Sequence, residues 1–216
     1  GKNKKKMNHK VELKKDEKLT CDIALFSNTN CTLDSGYNLE NFKIAYKSFG
    51  KLNKNKSNAI LVCHALTGDQ FVTGKNPITN KDGWWTRMVG PDKPIDTNKY
   101  FVICSNVLGG CVGSTGPKEM NIKTNSPFGT DFPSITIKDI VKVQKYLIDA
   151  LNIEKIFAVV GGSMGAMQVL QWTIDYPNKI ENAIHIAGAL KHSAQNIAFH
   201  EVGRQAIMND PAWDKG

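Results

Sequence analysis

The sequence lacks the features that would place it in a membrane, on a disulfide scaffold or against nucleic acid. Its longest clean apolar runs, such as Ile156 to Val160, are strand-sized and far short of the roughly 18 residues a membrane span needs. The five cysteines, Cys21, Cys31, Cys63, Cys104 and Cys111, are odd in number and contain no C-x-x-C pair. Neither a disulfide framework nor a zinc site is indicated, and free thiols fit a reducing, cytoplasmic compartment. Arginine is scarce: of 28 Lys and Arg residues only Arg87 and Arg204 are arginine, whereas surfaces that grip phosphate bidentately favour it. No internal repeat and no low-complexity linker interrupts the chain. The expectation is no nucleic acid, no membrane and no metal.

What is present is the composition of a soluble globular protein, with 216 residues, 41% hydrophobic and 22% charged. The net charge of +8 is concentrated at one end, where residues 1–18 hold eight lysines against three acidic residues. That segment reads as a basic flexible tail. No apolar stretch follows it of the kind a secretory signal carries.

Beyond the tail, Ile23 to Phe26 and Phe42 to Phe49 read as short strands forming an antiparallel edge, separated by turn residues around Asp34, Ser35, Gly36 and Asn38. Four continuous apolar runs follow: Ala59 to Cys63, Tyr100 to Cys104, Ile156 to Val160 and Ala183 to Ala187. Such runs suit strands buried on both faces of a parallel sheet. Between the second and third, Ile135 to Leu151 carries a helical stripe of Ile140, Val141, Val143, Tyr146, Leu147 and Leu151, with Ser134 or Thr136 as N-cap. Met164 to Tyr176 predicts a second helix that stops before Pro177. Alternating strands and helices predict an α/β fold with right-handed crossovers. Two long connections remain, Gly68 to Asn98 with Trp84 and Trp85, and residues 106–134. Loops of that length are usually functional or insertional.

The segment Gly161-Gly162-Ser163-Met164-Gly165 matches G-x-S-x-G between a predicted strand and a predicted helix. A serine on so tight a strand-to-helix turn is pushed out of the sheet, and glycines at 161, 162 and 165 remove Cβ atoms that would collide with neighbours. The helix N-terminus supplies positive dipole where negative charge develops. Ser163 is therefore the candidate nucleophile, with the Met164 N–H as one oxyanion donor. A second donor is expected from the loop after an earlier strand, and His64-Ala-Leu-Thr-Gly68 stands there, with the Leu66 N–H assigned to the role. His64 precedes the nucleophile at a strand end and reads as structural. The run Gly109 to Gly116 is glycine-rich but lacks the lysine of a Walker loop and the spacing of a dinucleotide fingerprint. It reads as a wall of the site.

Taken together, His64-Ala-Leu-Thr-Gly-Asp69, Gly83-Trp-Trp, Asn106 to Pro117, Phe132 to Asp139, Gly161 to Gln168 and Ser193 to Phe199 resemble the homoserine O-acetyltransferase family, in that family's order from about Asp34 onward. The resemblance implies an α/β-hydrolase fold, a mostly parallel central sheet with flanking helices, cut off at the start of the lid. Its divisions are the tail 1–18, the N-terminal part of the core 19–190, and the beginning of a helical lid 191–216. It implies acyl transfer from acyl-CoA to L-homoserine through a Ser163 acyl-enzyme in methionine biosynthesis, with no bound cofactor and a homodimer of the full-length protein.

The family's pattern is not complete here. Its acid and base follow the nucleophile at a distance that lies past Gly216, as does the arginine that grips the substrate carboxylate. Asp175, Asp210, Asp214, His185, His192 and His200 do not stand in the acid or base context, so neither triad partner is assigned in this chain. Arg204 reads as a structural or lid residue. The expectation is an incomplete chain, inactive alone. Alternatives are a serine carboxylester hydrolase, an acyltransferase for succinyl-CoA or L-serine, and a non-catalytic degenerate module.

Overall fold

The computed structural model describes residues 9–215. Seven strands form one sheet: β1 Lys10–Asp16, β2 Cys21–Ser27, β3 Phe42–Phe49, β4 Ala59–Cys63, β5 Phe101–Ser105, β6 Ile156–Gly162 and β7 Ile180–Ile186. Their spatial order is β1-β2-β3-β5-β4-β6-β7. The first three pair antiparallel, β3 meets β5 antiparallel, and β5, β4, β6 and β7 run parallel. The predicted antiparallel edge and four-stranded parallel half are both present. The order reverses at β4 and β5, and the carboxyl ends of the parallel strands share one rim of the sheet, where open α/β sheets bind ligands.

All five residues of β4 are buried, as a β-branched and aliphatic run between two sheet neighbours requires. Helix α1, Ile137–Ala150, buries Ile140, Val141, Val143, Leu147 and Ile148 on the sheet. Its cap is Thr136, not Ser134. Thr136 Oγ1 accepts from Asp139 N–H while Asp139 Oδ2 accepts from Thr136 N–H, a reciprocal capping box. The buried Asp139 also accepts from Asp34 N–H at 2.9 Å, which ties the turn after β2 to this helix. Helix α2, Met164–Asp175, packs beside α1 on the same face, with Trp172 fully buried. The opposite face of β4, β5 and β6 is covered by the long segment after β4, through Val72, Trp85, Met88, Val89 and Ile95. Helix α3, Ala194–Met208, follows, with no buried residue. No helix among the described residues is long and apolar enough to cross a membrane.

Two expectations need correction. The tail predicted over residues 1–18 lies partly outside the described residues, but Lys10–Asp16 is a strand, in full register with Cys21–Ser27. The outer ladder of β2 offers backbone partners that outweigh the charge of the segment, and His9 stacks on Phe26 at 6.1 Å. Its lysines then serve as a charged sheet edge. The run Ala183 to Ala187, expected to be buried, belongs to a strand beginning at Ile180 that is largely exposed, because β7 has a neighbour on one side only.

Asp139→Ala removes half of the capping box and the acceptor of the Asp34 amide, and leaves the part-buried Asp34 and Thr136 N–H groups without that partner. The expected loss is about 1–3 kcal/mol, read as a lowered urea midpoint, with Asp139→Asn intermediate, because its single amide oxygen can replace only one of the two accepting carboxylate oxygens.

Candidate active site

The rim at the ends of β4 and β6 brings the candidate residues together. Ser163 stands alone between β6 and α2 at φ 56° and ψ −121°, in a region side chains rarely occupy. Holding it there costs on the order of 1–3 kcal/mol. Its N–H donates to Ile186 O at 3.0 Å, and its carbonyl accepts from Ala166 and Met167 N–H in the first turn of α2. The side chain is exposed, and its hydroxyl makes no hydrogen bond to another described residue.

Two of the three glycines are required by close approach. A Cβ on Gly165 would lie 2.1 Å from Cys63 O, and one on Gly161 would lie 2.5 Å from Gly165 O. The backbones of β4, β6 and α2 touch here without side chains between them. Gly162 differs from the expectation: a Cβ there meets only Ile186 O, at 3.8 Å, so collision does not explain this glycine.

The loop after β4 is held from three directions. His64, 1% exposed, has Nδ1 2.7 Å from Ala65 O, while its Nε2 faces the Val107 N–H at 3.2 Å. A carbonyl only accepts and an amide N–H only donates, so Nδ1 carries the proton and Nε2 is bare. Burial pushes the imidazole pKa down, outweighing the Ala65 carbonyl and Asp69, which push it up. His64 is thus a neutral structural group, as read from its position. Ala65 O also accepts from Gly68 N–H at 2.9 Å. Because the 65–66 peptide is planar and trans, pinning that carbonyl turns the Leu66 N–H the opposite way. Neither the Leu66 nor the Met164 N–H has an acceptor among the described residues. The Trp84 indole N–H donates to Asp69 O, which fastens the far end of the loop.

The glycine-rich run is occupied with its own structure. Asn106 Oδ1 accepts from Val112 and Ser114 N–H, Ser114 Oγ accepts from Ala45 N–H, and Thr115 Oγ1 accepts from Lys43 N–H. The run folds back on β3, and it is Val107, just before the run begins, that meets the loop after β4 through His64. The remaining histidines do not approach Ser163 within hydrogen-bond distance: His185 lies on exposed β7, and His192 and His200 stack on each other at 5.2 Å. Arg204 pairs with Glu201 at 3.3 Å on the exposed surface of α3.

Sequence reasoning missed the polar interior beneath the loop. Trp172 Nε1–H donates to Gln144 Oε1 at 2.8 Å, Gln144 Nε2 to Gln168 Oε1 at 2.7 Å, and Gln168 Nε2 to His64 O at 3.1 Å. The available signal was two glutamines standing among the core-facing positions of α1 and α2.

A strained, exposed serine between a parallel strand and a helix, with the Met164 and Leu66 amides left without acceptors among the described residues, is the arrangement that a serine nucleophile on an α/β-hydrolase scaffold would need. Residues 58–215 match the alpha/beta hydrolase fold family, and the chain belongs to it. Within that family it is 56% identical over 198 residues to the homoserine O-acetyltransferase of Rhodospirillum rubrum, covering 92% of this chain and 51% of the relative. The homoserine O-acetyltransferase from Bacillus anthracis has a solved structure with TM-score 0.82 and 31% identity, covering 95% of this chain and 54% of that one. Esterase E22 is as similar in structure, with TM-score 0.81 and 33% identity over 96% of this chain and 55% of its own. The chain spans about half the length of the curated relatives it matches.

Two outcomes follow from the geometry. Gly161→Ala and Gly165→Ala should each abolish soluble folded protein, whereas Gly162→Ala should express and melt near the parent. The His64 ring is held neutral, with its folded pKa below the ordinary 6.5. Its contribution to stability is therefore complete above that value and lost as pH falls below it towards the folded pKa. Between about pH 7.5 and about pH 5.5, the urea midpoint should fall more for the parent than for His64→Gln. Equal slopes would show that the ring does not resist protonation.

Proposed function

We propose that Ser163 is the nucleophile of an acyltransferase that moves an acyl group, acetyl in the first instance, from acyl-CoA to the hydroxyl of L-homoserine. The observation that carries the reading is the elbow: an exposed serine hydroxyl at φ 56°, in a chain 56% identical to a homoserine O-acetyltransferase. On this reading Ser163 Oγ attacks the thioester carbonyl carbon and gives its proton to a general base. The Leu66 and Met164 N–H groups donate to the oxygen that becomes negative. Collapse breaks the C–S bond, and the CoA thiolate leaves with the returned proton. The homoserine hydroxyl then attacks the Ser163 ester in the same way, giving O-acyl-homoserine and free serine. Written so, the reaction uses acyl-CoA as co-substrate and needs no bound cofactor. The product suits methionine biosynthesis in the cytoplasm, by a protein that is a homodimer at full length.

The triad acid and base are assigned outside residues 1–216. His64 has both ring nitrogens engaged, and no described histidine or carboxylate hydrogen-bonds to Ser163 Oγ. Activation by a base supplies on the order of 10²–10⁴-fold, so residues 1–216 alone should release no CoA above the Ser163→Ala background. The similarity to esterase E22 favours a second reading, in which water takes the acyl group from the same intermediate.

The full-length protein is to be incubated with acetyl-CoA or succinyl-CoA, without acceptor, and the adduct mapped by mass spectrometry. The expected result is acylation of Ser163, lost in Ser163→Ala, with CoA release that rises on adding L-homoserine. Labelling elsewhere, unaffected by Ser163→Ala, overturns the nucleophile; release indifferent to homoserine selects the esterase.

A further inference from the structure

One buried NH₂ group bridges the two sides of the site. Gln168 Nε2 donates to His64 O at 3.1 Å, in the loop that presents Leu66, and to Met164 O at 3.3 Å, in the first turn of the nucleophile's helix. Gln168 is completely buried, as is Trp172, and Gln144 is 3% exposed. The direction of every bond in the relay is determined. An indole N–H can only donate, so the Gln144 atom at Trp172 Nε1 is the oxygen, which turns its NH₂ towards Gln168. The Gln168 oxygen therefore faces Gln144, and both of its N–H bonds remain for His64 and Met164. Flipping either amide would set donor against donor or acceptor against acceptor in a buried site.

We propose that Gln168 is a positioning residue, which sets the separation of the Leu66 and Met164 amides so that both reach one oxyanion, and that Trp172 and Gln144 lock its orientation. The proposal rests on the reading of those two amides as the oxyanion donors. Gln168 acts through the backbone and touches no reacting atom. A donor displaced from the oxyanion matters only where charge has developed, so the effect falls on the chemical step and spares substrate binding.

The test measures single-turnover acylation by acetyl-CoA in the full-length protein, with the KM for acetyl-CoA and the affinity for a trifluoromethyl ketone, which forms a tetrahedral oxyanion on serine. Gln168→Met keeps the volume and removes both donors. It should slow acylation on the order of 10-fold, less than the roughly 10²–10³-fold for deleting an oxyanion donor. Ketone affinity should weaken in parallel, with KM within about twofold. Trp172→Phe, which leaves Gln168 in place but frees the Gln144 amide, should act in the same direction by a smaller factor and decides the matter if Gln168→Met does not fold. Acylation and ketone affinity at the parent level in the folded variant, or a loss confined to thermal stability, overturns the proposal. Leu66→Pro separates the two layers. If it slows acylation while Gln168→Met does not, the oxyanion assignment stands and the positioning role falls; if Leu66→Pro has no effect, both fall.

Discussion

The end of β4 and the first turn of α2 meet backbone to backbone, with the position of a Gly165 Cβ only 2.1 Å from Cys63 O. No side chain of any size fits between them, so the strand that carries the 64–69 loop and the helix that follows Ser163 stand at one separation. Ser163 completes the junction from the other side, through its amide bond to Ile186 O and the two helix amides on its own carbonyl. The unfavourable φ of Ser163 is maintained by these three bonds and the two close glycine approaches, whose combined loss would exceed the cost of the strain.

Beneath the contact the protein buries polar groups without burying charge. His64 is neutral, and the relay behind it consists of two amides and an indole. Neutral hydrogen-bonded groups avoid the desolvation penalty of ions, and because the indole N–H can only donate the arrangement has a single low-energy orientation. The relay joins α1, α2 and the end of β4 into one body. It anchors the start of the Leu66 loop at His64 O, although that loop has no regular structure. Leu66 itself is 70% exposed, so burial of its side chain does not position it; its peptide is positioned by the carbonyl beside it.

The same scaffold occurs in a homoserine O-acetyltransferase and in an esterase with nearly equal TM-scores, 0.82 and 0.81. This is expected if the elbow and its paired amides serve the acyl-enzyme common to both reactions. The choice of acceptor then belongs to whatever excludes water above Ser163.

Much of this was legible in the residues. The four apolar runs and the 3.6-residue stripe of α1 follow from burial periodicity, which is local, and G-x-S-x-G between a strand and a helix fixed the place of Ser163. The Lys10–Asp16 strand was not legible, because charge and length read as a tail until the free edge of β2 supplies the ladder. The exposure of β7 was hidden for the matching reason: an apolar run reports strand propensity, whereas burial depends on how many neighbours the sheet order gives it. Gly161, Gly162 and Gly165 look alike as letters, and only the packed backbones distinguish two that are sterically required from one that is not. Gln144 and Gln168 are 24 residues apart in the chain. Their place in the relay depends on which helix faces meet, so the sequence by itself determined the position of the candidate serine and the order of the elements, and the tertiary packing alone decided what holds the amides around it.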